Sequence, residues 1–141
     1  MSKFSALSLD VEKPARMIVV HPVSRQPLRS VDGKIEAFID IFSADSEAAR
    51  KHQRNVSRRR LAMRGRGRVT PEEMEADSVE LLAAVTAGWS LLSLDGSPID
   101  VSFSLEAARE LYADPSVAWL RDQVDEFASE RGNFSKASPK P

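Results

Sequence analysis

Two segments near the start of the chain have the apolar pattern of β-strands. ARMIVVHP, residues 15–22, contains a short apolar run, and IEAFIDIF, residues 35–42, places Ile35, Ala37, Ile39 and Ile41 at every second position. A period of two is typical of a strand with one buried face. The intervening segment is rich in turn residues, and Gly33 stands where a turn needs a positive φ angle. These features predict a β-hairpin with a long loop.

From residue 43 onward the pattern becomes helical. Ser43 can cap a helix over SADSEAARKHQRNVSRRRLA, whose thin apolar stripe predicts a mostly solvated helix. Thr70-Pro71-Glu72-Glu73 contains the residues of a capping box and predicts a helix from Pro71 to about Ala87, with Gly88 as its carboxyl cap. The predicted apolar face of that helix consists of Met74, Ser78, Leu81, Leu82, Val85 and Trp89.

The remaining sequence predicts a turn followed by a pair of helices. Asp95-Gly96-Ser97-Pro98 forms the turn, and Ser104 can cap the first helix, SLEAARELYA. Asp114-Pro115 opens the second, SVAWLRDQVDEFASER, which Gly132 ends. Apolar residues recur on this last helix at steps of three and four, so it must bury one face. They are Val117, Leu120, Val124 and Phe127, with Trp119 and Ala128 beside them.

These elements together predict an α+β fold, in which an N-terminal β-hairpin precedes a mainly α-helical bundle of about four helices. The chain has 141 residues, 42% of them apolar, which suffices for one core. We expect residues 14–134 to form a single domain, with the hairpin over 14–42 and the helical part over 43–134. Residues 1–13 are expected to form a flexible arm, and residues 135–141, which include two prolines and two lysines, a disordered tail.

Charge is distributed unevenly along the chain. Residues 51–70, KHQRNVSRRRLAMRGRGRVT, hold eight Lys or Arg and no acid, which leaves 12 basic against 21 acidic residues elsewhere. Such asymmetry is typical of nucleic-acid binding, and equally of self-association in which the basic arm of one copy meets the acidic face of another. The candidate basic arm consists of Arg58, Arg59, Arg60, Arg64, Arg66 and Arg68.

Residues of catalytic, metal or cofactor sites are scarce. The chain has no cysteine, and His21 and His52 have no acid at metal-ligand spacing. No phosphate-binding loop, dinucleotide-binding glycine motif or nucleophile elbow occurs. No apolar run is long enough for a signal peptide or a membrane span. We therefore expect a non-enzymatic cytoplasmic protein with no catalytic residues, cofactor, metal or membrane contact.

The order of features in residues 85–134 resembles the tail assembly chaperones of long-tailed, siphovirus-type bacteriophages. In that family pattern a Trp precedes an Asp-Gly turn, a polar-capped short helix, an Asp-Pro step and an amphipathic helix that ends near Asn-Phe. The matching positions are Trp89, Asp95-Gly96, Ser104, Asp114-Pro115 and Asn133-Phe134. The N-terminal half is similar in its order of elements, and the RGRGR segment is the least typical part.

The resemblance implies a non-enzymatic function in the host cell cytoplasm. Such a chaperone binds the tape measure protein, keeps its long apolar helices soluble and recruits subunits of the major tail tube protein. An exposed apolar helix needs a second amphipathic surface to cover it. We expect part of the stripe on the last helix to provide that surface, with Trp119, Leu120, Val124 and Phe127 as the candidate partner-binding residues. The alternatives are a small nucleic-acid-binding adaptor and a head-tail joining structural protein.

We predict that the basic arm binds nucleic acid at most weakly and without sequence preference. Residues 51–70 contain no aromatic side chain on which a base could stack. Phosphate contacts release counterions, so a shift assay in about 200 mM salt should show little binding. Tight and sequence-selective binding under those conditions would favour the adaptor interpretation instead.

Overall fold

The computed structural model describes residues 3–63 and 67–135, and within them the chain has an α+β fold with three strands and four α-helices. The strands are β1 (Ala15–Ile18), β2 (Phe38–Ile41) and β3 (Thr86–Ser90). The α-helices are α1 (Glu47–Ala62), α2 (Pro71–Val85), α3 (Leu105–Ala113) and α4 (Ala118–Ser129). Short 3-10 turns occupy Ser5–Leu7, Pro115–Val117 and Arg131–Phe134. The sheet is antiparallel with β2 in the centre.

The predicted N-terminal hairpin is confirmed. β1 pairs antiparallel with β2, and Gly33 in the connecting loop has a φ angle of 73°. Ala37, Ile39 and Ile41 are buried as the alternation predicts. Ile35 is 51% exposed, because it lies in the loop before the regular strand begins.

The predicted N-terminal caps of α2 and α3 are confirmed. The Thr70 hydroxyl accepts a hydrogen bond from the Glu73 amide at 3.1 Å, and the Ser104 hydroxyl accepts one from the Ala107 amide at 3.0 Å. In the described part of the chain Glu73 returns no bond to Thr70, so only half of the capping box forms. These hydroxyls satisfy amides that would otherwise lack a partner in the first helical turn.

The start of α1 lies three residues later than the sequence predicts. Ser46, not Ser43, caps the helix, and its hydroxyl accepts from the Ala49 amide at 3.3 Å. Ser43 is buried, and its hydroxyl accepts from the Asp45 amide at 2.9 Å in the turn before the helix. Both serines are good caps, and the tertiary position of the turn decides between them.

Residues 86–90 differ most from the prediction. The sequence predicts helix through Ala87 with Gly88 as a cap, but α2 ends at Val85 and the chain enters β3 directly. β3 pairs antiparallel with β2, which places Gly88 opposite Asp40. The backbone groups of this segment therefore find strand partners that are distant in sequence, which a local helical pattern cannot reveal.

The buried face of α2 agrees with the predicted one at Leu82 and Val85 and differs from it elsewhere. Val79, Leu82, Ala83 and Val85 are buried, whereas Met74 is 57% exposed and Ser78 is exposed as well. Leu81 and Trp89 are half-buried. α2 packs against α1, α3 and α4, so several neighbours rather than one apolar stripe set its buried face.

The core lies between the sheet and the helices. Its most deeply buried members include Val19, Ile39, Ile41, Val85, Tyr112 and Val124. The Thr86 hydroxyl donates to the Leu82 carbonyl at 2.8 Å and bonds to the Tyr112 hydroxyl at 2.6 Å, so these buried polar groups are satisfied. Burial raises the pKa of Tyr112 to about 12, although the Thr86 hydrogen bond acts in the opposite direction.

The two ends of the described chain meet beside α1. The Asp10 amide donates to the Phe134 carbonyl at 2.8 Å, and the Glu12 carboxylate accepts from the Glu47 amide at 3.0 Å. An acid at this helix amino end complements the helix dipole. Residues 3–8 of the predicted arm are mostly exposed, and residues 136–141 of the predicted tail lie outside the described residues.

The C-terminal helices form the predicted pair, with one shifted end. The Asp114 carboxylate accepts from the Ser116 amide at 2.9 Å and opens the 3-10 turn that leads into α4. α4 ends at Ser129, before the predicted Gly132, which belongs to the following 3-10 turn. That turn buries Phe134 against the end of α4 and so completes the domain.

Candidate partner-binding groove

An open groove of about 620 Å³ lies between α4 and the N-terminal hairpin. Its apolar lining comes from both sides, with residues of the hairpin and two aromatic residues of α4. Ile18, Val20, Trp119 and Phe127 are half-buried and line the groove, whereas Met17 also borders it but is 5% exposed and belongs to the core. The groove is thus an elongated, partly apolar surface of the kind that accepts an extended or helical protein segment.

Gln123 joins the two walls of this groove. Its Oε1 atom accepts a hydrogen bond from the Val20 amide at 3.1 Å, and its Nε2 atom donates to the Val20 carbonyl at 2.7 Å. One side chain therefore satisfies both backbone groups of a residue just beyond β1, as a neighbouring strand would. The paired bonds hold α4 and the hairpin at a fixed separation.

Phe127 is supported from behind by the C-terminal turn. Its ring packs edge to face against Phe134, with the ring centres 5.9 Å apart and an angle of 74° between the planes. The Phe127 carbonyl accepts from the Asn133 side chain at 3.0 Å, in addition to the Glu130 amide at 3.3 Å. Phe127 is half-buried, so one part of its ring is anchored and another lines the groove.

The four predicted partner residues on α4 divide between groove and core. Trp119 and Phe127 are half-buried and line the groove, so they remain candidates. Leu120 is 5% exposed and Val124 is fully buried, so no partner can reach them and that part of the prediction is corrected. Residues four apart share a helix face, which places 120, 124 and 128 in the core and 119, 123 and 127 on the adjacent groove face.

Two features of the groove were not predicted from the sequence: the contribution of the hairpin and the role of Gln123. Ile18 and Val20 are predicted strand residues, and a strand pattern alone does not indicate which side chains remain accessible. Gln123 does carry a signal, because it is the polar member of a row that otherwise contains Trp119 and Phe127.

Charge differs between the two sides of the groove. α4 contributes the exposed carboxylates of Asp122, Glu126 and Glu130, and the hairpin loop contributes the guanidinium group of Arg25. Within residues 3–63 and 67–135 none of the three carboxylates forms an ion pair. The α4 side therefore presents unneutralised negative charge next to the apolar lining.

The loop side of the groove is shaped by a histidine in a structural role. The His21 Nδ1 atom accepts from the Val23 amide at 3.0 Å and from the Ser24 amide at 3.2 Å. This arrangement requires the neutral tautomer with its proton on Nε2. Arg25 follows with a positive φ of 61°, which completes the tight turn at the groove's edge.

The predicted basic arm is partly a structural element. Arg58, Arg59 and Arg60 lie in the last turns of α1, and the side chains of Arg59 and Arg60 contact the two carboxylate oxygens of Asp77 at 2.6 and 2.9 Å. Arg58 is exposed and has no ion pair among the described residues. Arg68 is exposed in the segment before α2, and Arg64 and Arg66 lie outside the described residues.

Asp77 is the acidic centre of the contact between α1 and α2. Burial alone raises the pKa of its carboxyl group, but the hydrogen bonds and charges of Arg59 and Arg60 outweigh that effect and leave the pKa below its ordinary value. The His52 Nε2 atom also lies 3.1 Å from the Asp77 carbonyl. Arg59, Arg60 and His52, which all belong to the segment 51–70, therefore stabilise the contact between α1 and α2.

Comparison with known proteins gives no match: no protein-family model, curated protein or solved structure matches the chain. In the part of the chain that the structure describes, no three His, Asp or Glu side chains are grouped so as to hold a metal ion. No helix in that part has both the length and the apolar character needed to cross a membrane.

We predict that Asp77→Asn destabilises the protein at neutral pH by roughly 1 kcal/mol, because it removes the charge that two partly exposed arginines contact. The folded-state pKa of Asp77 is lowered, so this stabilisation is present above the unfolded carboxyl pKa of about 4 and is lost as pH falls through the folded value. Urea unfolding at several pH values measures the difference between variant and parent.

Glu110→Gln is the matched control for this measurement. It removes one carboxylate from α3, where Glu110 is exposed and has no ion pair among the described residues. The control should change the free energy of unfolding little at any pH. Equal losses for the two variants, or no loss for Asp77→Asn, would show that the arginines of α1 do not stabilise the helix pair.

Proposed function

We propose that this chain is a tail assembly chaperone of long-tailed bacteriophages, and that it binds an amphipathic helix of the tape measure protein in the groove beside α4. The observation that carries the proposal is the composition of that groove. Apolar side chains of α4 and the hairpin line it, and unpaired carboxylates stand along one side. An amphipathic helix with apolar anchors and a basic edge complements both features.

The dimensions of α4 suit a helical partner. The helix has 12 residues and is therefore about 18 Å long. Trp119 and Phe127 are eight residues apart, which corresponds to about 12 Å, or roughly two helical turns. A partner helix whose apolar residues recur every three or four positions can place one on each ring, and aromatic anchors supply much of the binding energy at such contacts.

The negative charge along the edge of the groove is suited to a tape measure helix that must later be released. Exposed carboxylates such as Glu126 attract a basic helix edge and accelerate its association, but contribute little to the final affinity. Two aromatic anchors and an open groove therefore give a contact of modest strength. Such a contact keeps a long apolar helix covered in the host cytoplasm until the tail tube subunits replace the chaperone.

The resemblance of residues 85–134 to tail assembly chaperones provides independent support from the order of sequence features. In this proposal the major tail tube protein binds a second surface, because the tape measure helix occupies the groove. The nucleic-acid adaptor interpretation has less support, since Arg59 and Arg60 already contact Asp77. No specific feature of the groove favours a head-tail joining protein.

We predict that Trp119→Ala abolishes co-purification of a tape measure fragment expressed with the protein. Loss of a central aromatic anchor typically costs at least about 2 kcal/mol, or roughly a 30-fold weaker complex. Trp89→Ala is the matched control, because Trp89 is the other tryptophan and is also half-buried, but packs on Phe103 at a distance of 5.1 Å, away from the groove. It should retain the fragment.

A charge variant separates binding from folding in the same assay. Glu126 is exposed and forms no ion pair among the described residues, so Glu126→Arg should keep the fold and weaken capture of a fragment with a basic edge. Circular dichroism of each variant monitors helical content. Capture that survives both Trp119→Ala and Glu126→Arg, or that fails with Trp89→Ala alone, would exclude the groove as the client site.

A further inference from the structure

One face of α1 is exposed to solvent along its whole length. The helix packs against α2 through its other face, where Ala49 is buried and His52 and Val56 are half-buried. The exposed face has a basic row and ends in an apolar residue. Arg50, Arg54, Arg58 and Leu61 form this row, and Leu61 is 68% exposed. We call these four residues the basic row.

The groove face of α4 has the same spacing with opposite charge. Asp122, Glu126 and Glu130 are four residues apart, as are Arg50, Arg54 and Arg58. Trp119 precedes the first acid by three residues, and Leu61 follows the last arginine by three. We call Trp119 and the three acids the acidic row. No ion pair joins the two rows within the described part of one molecule.

We propose that the chain associates head to tail, with the basic row of one copy lying antiparallel along the acidic row in the groove of the next copy. In this register Arg58 meets Asp122, Arg54 meets Glu126 and Arg50 meets Glu130. The same register places the exposed Leu61 side chain on the Trp119 ring. Every member of the basic row then has a partner of matching chemistry.

A parallel arrangement satisfies only the charges. Arg50 then meets Asp122, Arg54 meets Glu126 and Arg58 meets Glu130, while Leu61 reaches past the end of α4 at Ser129 and away from Trp119. The antiparallel arrangement also aligns the helix dipoles favourably, because opposite partial charges lie at each end. The position of Leu61 therefore selects the antiparallel register.

Arg58 contributes the strongest new interaction in this contact. Arg50 and Arg54 already lie 3.2 and 2.5 Å from the Glu47 carboxylate of their own copy, and Arg50 also lies 3.6 Å from that of Glu12. In the contact these two arginines would share their carboxylate partners with the second copy or exchange them. Arg58 has no such partner among the described residues. Exposed ion pairs are weak individually, so the contact depends on the complete row and on the burial of Leu61.

The contact uses two different surfaces of each copy and therefore repeats. A heterologous interface of this kind produces a closed ring or an open chain, depending on the rotation between copies. It also occupies the groove assigned above to a client helix, so the two occupants compete. The inference itself does not depend on the proposed function, because it concerns only the purified chain.

Sedimentation velocity of the purified full chain, without a client, tests the contact. We expect assemblies larger than a monomer at low salt that dissociate in about 1 M salt, where the Debye length falls to about 3 Å. Arg58→Glu should abolish the assemblies. Lys51→Glu changes the charge equally but lies on the flank of α1 near α3, so it should leave them intact. A monomer at low salt, or equal effects of the two variants, would overturn the proposal.

Charge exchange tests the register directly. The double variant Arg58→Glu with Asp122→Arg restores an opposite-charge pair in the antiparallel register, so assemblies should return. The matched double variant Arg58→Glu with Glu130→Arg restores a pair only in the parallel register and should stay monomeric. All three positions are exposed, and each variant should keep the parent's helical content in circular dichroism, which also checks the loss of the Glu130 carboxylate that accepts from the Gly132 amide at 3.5 Å. Recovery with Glu130→Arg and not with Asp122→Arg would overturn the antiparallel arrangement.

Discussion

Two hydrogen bonds between the Gln123 side chain and the backbone of Val20 join α4 to the N-terminal hairpin, and the groove lies between these two elements. Val124, the next residue on α4, is buried in the core and fixes the helix from the other side. An apolar residue at position 123 would leave both backbone groups of Val20 without this partner, at a cost of about 1–3 kcal/mol for each group that stays unsatisfied. The contact between Gln123 and Val20 therefore contributes both to the fold and to the candidate site.

Adjacent faces of α4 carry out different tasks. Leu120 and Val124 close the core, Trp119 and Phe127 line the groove, and Glu126 stands on its charged rim. A helix at the edge of a small domain can combine these tasks because its side chains change direction by about 100° from one residue to the next. α1 likewise has different roles on adjacent faces, because Arg59 contacts Asp77 and the neighbouring Arg58 faces solvent.

The features that could be predicted from the sequence are those that depend on local interactions. The Thr70 and Ser104 caps and the Gly33 turn depend on a few neighbouring residues, and all three were predicted. Thr86–Ser90 was missed because its strand partner is β2, far away in sequence. The apolar stripe of α4 predicted burial, but it could not separate core residues from groove residues, since both are apolar. The contact between Gln123 and Val20 depends on packing that no local pattern contains.

Hydrogen exchange of the chain with and without a tape measure segment tests most directly whether the groove is the binding surface. The Arg58→Glu variant is suited to this measurement, because the proposed self-association predicts that a second copy does not occupy its groove. We expect slower exchange on binding in residues 17–25 and 119–130, which contain the two walls of the groove. Slower exchange confined to the exposed face of α1 or to residues 91–105, with no change at the groove, would contradict that expectation.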